Sequence, residues 1–129
     1  MLRQMFAVLS VATILGLAPP ARAGVKSNAP VAVDTVNHRG SGAVGSARAS
    51  ADGIQYIYCY AVHGSSASAF CVARDAASTT VSCFTTDPNK VALVNAMTSY
   101  SYLYFEYDTS GLCTTLLVEN ASYYPPMVP

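Results

Sequence analysis

The chain has 129 residues, seven Lys/Arg against seven Asp/Glu, four cysteines and no tryptophan. Only 11% of its residues are charged and 52% are apolar, a composition for one folded domain. No Lys/Arg cluster of the kind that neutralises phosphates is present, which excludes nucleic acid as an expected partner.

Residues 1–23, MLRQMFAVLSVATILGLAPPARA, read as a signal peptide. Arg3 stands near the start, an apolar run extends from Met5 to Leu17, and Ala21-Arg22-Ala23 forms an A-x-A cleavage pattern after a Pro-Pro break. The run is shorter than the roughly 20 residues that span a bilayer, so no membrane span is expected after cleavage. Cutting before Gly24 removes Arg3 and Arg22 and leaves five Lys/Arg against seven Asp/Glu. The expected location is secreted or periplasmic.

Residues 24–40, GVKSNAPVAVDTVNHRG, read as a loosely ordered N-terminal arm, and 41–129 as a single disulfide-stabilised domain. Gly40-Ser-Gly42-Ala-Val-Gly45 matches the spacing of the dinucleotide-binding glycine fingerprint. That fingerprint needs a buried strand before it, a helix after it and an acidic residue about 20 positions on. Here the preceding DTVNHR is polar, Ser65 occupies the acidic position, and no acid occurs between Asp52 and Asp75. Gly40 to Gly42 are therefore expected as a flexible lead-in. Ala43–Ser50, alternating in small residues, is expected as a strand packed close to another layer. No cofactor is implied.

Three strands follow: IQYIYCYAV (54–62), ASAFCVARD (67–75) and TTVSCFTT (79–86), separated by HGSS and AAS turns. All are rich in residues that fit a pleated surface. All four cysteines, Cys59, Cys71, Cys83 and Cys113, lie after Ala23, and an even count in a short exported chain points to two disulfides. The spacing C-x11-C-x11-C-x29-C has no CxxC knuckle, and His38 and His63 lack paired ligand spacing, so no metal is expected. In an antiparallel meander Cys59 and Cys83 would sit two strands apart, beyond disulfide reach. Cys59–Cys71 with Cys83–Cys113 is preferred, and Cys71–Cys83 with Cys59–Cys113 stays open.

TDPNKVALVNAMTSY reads as the one helix, over about 88–98, with Asp87 as N-cap and Pro88 at the first helical position. A final hairpin joins YSYLYFEYD (100–108) to LCTTLLVEN (112–120) through Asp108-Thr-Ser-Gly111, a type I turn with Gly111 left-handed. Symmetry about that turn sets Phe105 near Thr114 and Leu103 near Leu116. Leu103, Phe105, Leu112, Leu116 and Val118 then form one apolar face on which the helix is expected to lie.

No catalytic constellation emerges. There is no G-x-S-x-G elbow, His63 reads as a turn residue, and Glu106 with Asp108 flanks a turn. The nine tyrosines carry the strongest functional signal. Tyr56, Tyr58 and Tyr60 share one face of a strand, and Tyr100, Tyr102 and Tyr104 share one face of another. A flat apolar body with a polar tip suits a protein or glycan partner, whereas a cross-strand ladder serving only the fold is the structural alternative. Asn120-Ala-Ser122 fits the N-glycosylation sequon.

The runs SARASADGIQYIYCYA, FCVARDA, VSCFTTD and SYLYFEYDTSGLCTTLLVENASYYPP resemble small exported bacterial proteins of uncharacterised function. The resemblance covers most of the chain after Ala23, implies bacterial export and carries over no catalytic residue. The fold expected is α+β: an antiparallel sheet of about six strands with one helix packed on it, stapled by two disulfides. The function expected is a non-enzymatic binding or surface-interaction module using the tyrosine faces. The alternatives are a secreted hydrolase inhibitor presenting HGSSAS or RDAAST, and a small enzyme without a recognisable motif.

Overall fold

The computed structural model describes residues 24–126; the expected signal peptide, 1–23, lies outside the described residues. Strand-forming sequence dominates. In chain order come β1 (Ala32–Asp34), β2 (Arg39–Ala43), α1 (Val44–Arg48), β3 (Tyr56–His63), β4 (Ala67–Arg74), β5 (Thr80–Thr85), α2 (Pro88–Asn95), β6 (Ser101–Tyr107) and β7 (Cys113–Asn120). The strands form two antiparallel sheets rather than one, with orders β1-β2-β6-β7 and β3-β4-β5. Segment 24–40, read as a loose arm, contains β1 and the start of β2. Backbone pairing of Val33 with Gly40 ties it into the first sheet.

Period-two alternation explains why the sheets face each other. Along β4, Ala69, Cys71 and Ala73 are buried while Phe70 is exposed; along β6, Ser101, Leu103 and Phe105 are buried beneath partly exposed tyrosines. The two inner faces close on one core that also takes Ile57, Val81, Cys83 and Leu116. Phe105 and Leu103 are the two largest side chains that are fully buried, and Ala69, Cys71, Ala73 and Cys83 are buried as completely, so the centre of the core is thin.

Gly40 makes that thin core possible. A Cβ built on it would stand 2.8 Å from the Ala73 Cβ on the opposite sheet and 2.8 Å from the Phe105 ring. The glycine is a packing site between layers and not a flexible lead-in.

The Ala43–Ser50 stretch corrects the expectation of a strand: Val44–Arg48 is helical. Ala and Arg favour helix, and small-residue alternation carries no helix or strand period of its own. Tertiary contacts decide the outcome. Val44 to Ala47 are buried, and the Ser46 hydroxyl accepts from the Ala29 amide at 3.0 Å. The glycine motif thus straddles the β2–α1 junction, with Gly40 and Gly42 inside the strand and Gly45 inside the helix. A Cβ on Gly45 would collide with the Pro125 carbonyl, so the C-terminal segment fills the place a phosphate would need.

α2 has the expected start, with Pro88 at N1 and the Asp87 carboxylate accepting from the Asn89 amide at 2.8 Å. Val91 and Val94 are buried. The helix packs on β3, β4 and β7, at the opening between the sheets. It does not lie on the Leu103–Phe105 face, which the other sheet covers.

Both disulfides follow the preferred pairing. Cys59–Cys71 joins directly opposed residues of β3 and β4, with Cα atoms 4.1 Å apart. Cys83–Cys113 links β5 to β7 and so staples one sheet to the other.

The last hairpin corrects the expected register. Phe105 opposes Leu116 and Leu103 opposes Val118. The Gly111 amide donates to the Asp108 carbonyl (2.9 Å) and Gly111 takes φ 79°, as the turn reading requires. The pairing Asp108 N to Leu112 O, and then a bulge opposite Glu106/Tyr107, shift the two strands by two residues from simple symmetry. Leu112 consequently leaves the apolar face and is 47% exposed.

Gly40→Ala is expected to cost about 1–3 kcal/mol through overpacking, read as a lower denaturation midpoint. Phe105→Leu in the same chain should recover part of the loss by vacating the ring's place.

The β1–β2 turn is pH-sensitive in a definite direction. Asn37 donates its side chain and backbone N–H to Asp34, and Arg39 adds a further pair. Together they bring the Asp34 carboxyl down to about 2 from an ordinary 3.8. A lowered value means the stabilisation is complete above the ordinary value, fades as pH falls, and is gone below the folded one. Carboxyl-carbon NMR titration should give a midpoint near pH 2 for Asp34, and Asn37→Ala should raise it.

Candidate functional site

β3 places Tyr56, Tyr58 and Tyr60 on the outer face of its sheet because Ile57, Cys59 and Ala61 take the inner face. The three tyrosines are 36%, 43% and 46% exposed. Register continues the row across the sheet: Tyr60 opposes Phe70, and Phe70 opposes Phe84. Ring centroids step at 5.9 Å (Tyr56–Tyr58), 6.3 Å (Tyr58–Tyr60), 5.7 Å (Tyr60–Phe70) and 5.0 Å (Phe70–Phe84). Arg74 holds its guanidinium 6.0 Å from the Tyr56 ring centroid at one end, a cation–π contact. Phe84 donates its amide to Gly111 at the other, beside exposed Leu112. Single exposed apolar residues are ordinary on a protein surface; a connected strip of them makes this face the candidate site.

The planes of Tyr58 and Tyr60 lie within 24°, and those of Tyr60 and Phe70 within 10°. Near-parallel rings at these spacings are too close to lie edge to edge in one plane, so they are offset-stacked with faces turned towards one another. What this strip offers is a line of ring edges and phenol hydroxyls.

The second tyrosine row has a different fate. Tyr102 stacks on Tyr124 at 5.4 Å, and Tyr124 is buried. Tyr104 donates its hydroxyl to Glu106 at 2.5 Å, and Glu106 also accepts from Thr115 at 2.7 Å. The Tyr104 bond holds the Glu106 carboxyl below its usual range and pushes the Tyr104 phenol up. Glu119 likewise accepts from Tyr123 and Tyr124. Only Tyr100, 43% exposed, stays open. The two rows look alike in sequence, but in the second the C-terminal segment covers Tyr102 and Glu106 holds Tyr104.

A concavity of about 800 Å³ lies between the 26–30 segment, the end of α1 and Tyr123–Pro126. Its acid, Asp52, is already engaged. Gln55 and the backbone amides of Ile54 and Gln55 bond it and bring its carboxyl down to about 2. Gln55 in turn accepts from the Val31 amide. These groups hold the loop before β3.

The other sequence candidates do not converge. His63 is exposed at the end of β3, and Glu106 lies on the outer face of the other sheet. Asp108 accepts from the Ser110 and Leu112 amides, and Asp75 similarly closes the RDAAST turn. The sequon residue Asn120 donates its amide to the Ala96 carbonyl and accepts from Ser101 and Thr98, tying α2 to the last strand. Among the described residues no three His, Cys, Asp or Glu side chains gather as a metal site. The chain matches no protein-family model, no curated protein and no solved structure.

The contrast between the rows is measurable. Tyr102→Ser should lower stability by about 2 kcal/mol through lost packing against Tyr124. Tyr58→Ser should stay within about 1 kcal/mol. Thermal unfolding of the two variants side by side checks both.

Proposed function

We propose that this protein is an exported bacterial binding module, non-enzymatic, that docks a partner protein on the outer face of β3, β4 and β5. The observation that carries the reading is the strip of exposed Tyr56, Tyr58, Tyr60 and Phe70, continued by half-buried Phe84 and bounded by Arg74. Tyrosine supplies large, rigid contact area with a hydrogen-bonding tip at low conformational cost, which is why it is enriched in interface cores. Stacking of Tyr58, Tyr60 and Phe70 favours a protein over a sugar at the middle of the strip: a sugar ring needs an open aromatic face, and these three rings stack on one another. Export is supported by two disulfides, which persist in oxidising compartments. No helix among the described residues is long and apolar enough to cross a membrane.

A photo-crosslinking residue at position 58 or 70, with position 115 on the other sheet as control, tests the reading in cells that export the protein. A discrete protein adduct from 58 and 70, absent from 115, is the expected result. Equal labelling from all three positions, or none from 58 and 70, would refute it. Retention on a glycan array that Tyr58→Ser abolishes would put a sugar in the partner's place.

A further inference from the structure

We infer that the free edge of β3 is a self-association edge, along which a second copy of this chain adds its own β3, antiparallel, about a two-fold axis. The inference rests on the edge of the strand and stands independently of the reading of its outer face.

Four strands lie at sheet edges: β1, β7, β3 and β5. Edge strands expose unpaired backbone groups, and proteins blunt them with short length, charge, proline, bulges or covering segments. β1 has three residues and ends in the Asp34–Arg39 ion pair. β7 carries Glu119 and pairs across a bulge. β5 is met by the 111–112 segment, through the Phe84 amide and the Cys83–Cys113 bridge. β3 has no charge, proline or bulge, and although α1 and α2 pack against it, no backbone group among the described residues pairs with its outer edge. It runs eight residues, YIYCYAVH, without Lys, Arg, Asp, Glu or Pro, in unbroken register with β4.

The register also says which groups are free. The short Cα spacing of the Cys59–Cys71 pair, 4.1 Å, is that of a non-hydrogen-bonded pair. Alternation then turns the N–H and C=O of Ile57, Cys59, Ala61 and His63 away from β4, towards the open edge.

The two halves of β3 differ in a way that suits a two-fold. A cleft of about 670 Å³ runs beside the first half, with Ala47, Ile57, Cys59 and Met97 among its walls. Residues 60–63 contribute nothing to that cleft, and the hairpin end from Val62 to Ser66 is exposed. An isologous interface brings residue i of one copy to j of the other and j to i. Antiparallel pairing about Cys59 lays residues 60–63 of each copy along the cleft half of its partner. It sets Tyr58 opposite Tyr60, and Ala61 opposite Ile57, whose side chain is already buried in its own core. No charged side chains oppose each other, and the two aromatic strips join into one across a six-stranded sheet.

Sedimentation of the disulfide-intact protein across micromolar concentrations, with hydrogen exchange of the β3 amides, tests this. The expected result is a species of twice the chain mass in which the Ile57, Cys59 and Ala61 amides exchange slowly, becoming fast on dilution. Ala61→Pro removes an N–H that β4 does not use, once in each copy, and should weaken association about tenfold or more. It should leave the circular dichroism of the monomer and crosslinking from position 70 unchanged. A monomer at every concentration overturns the inference and leaves the edge to a strand from another protein. So does a dimer whose three amides stay fast, or one that Ala61→Pro does not weaken. If Ala61→Pro fails to fold, the exchange pattern of the unaltered protein decides.

Discussion

The Phe105 ring and the missing side chain of Gly40 set how near the two sheets come. With Ala73 directly across the gap, the layers meet through one aromatic ring and two of the smallest residues. A core this thin leaves little apolar area to hold the layers together, and small domains are marginal for that reason. The Cys83–Cys113 bridge compensates by joining the sheets covalently. The inner faces can then use Ala69, Ala73 and Cys71 where a larger protein would place Leu or Ile. The bulky aromatic residues of β3, β4 and β5 are left on the outside, which is an unusual allocation for a short chain.

Local signals in the sequence were legible where one turn of chain decides the outcome. Asp87-Pro88 fixes the start of α2 through a cap bond and a fixed φ, and both are independent of tertiary context. Symmetry about the two turns sets Cys59 opposite Cys71 and Cys71 opposite Cys83, and both registers hold, but it does not choose which pair is bridged. The same symmetry argument failed for the last hairpin. The left-handed Gly111 and an unpaired residue in β7 each shift the register by one, and no residue type there announces the second shift.

What depends on distant chain was not legible. Val44–Arg48 alternates in small residues and is compatible with strand or helix; its burial under Pro125 and its bond to Ala29 select the helix. The two tyrosine rows are indistinguishable in sequence, since both alternate with core residues along a strand. Only Tyr124, some twenty residues beyond β6's tyrosines, separates them by stacking on Tyr102. Half of the candidate site was thus visible as chemistry, and its exposure was not. The division of one expected sheet into two likewise follows from which strands pair, and β2 reaches β6 across more than fifty intervening residues.

The placement of the cross-links has a mechanical consequence. Each bridge shunts tension past the chain it encloses, so force applied at the two ends travels through sulfur rather than through residues 60–70 or 84–112. Tyr60, Phe70 and Phe84 all fall inside those shunted loops. Under traction between the two ends, the 24–58, 72–82 and 114–126 stretches would pay out first. The aromatic strip would then part between Tyr58 and Tyr60, with Tyr60, Phe70 and Phe84 held in the enclosed loops and Tyr56 and Tyr58 drawn off with the stretch before Cys59.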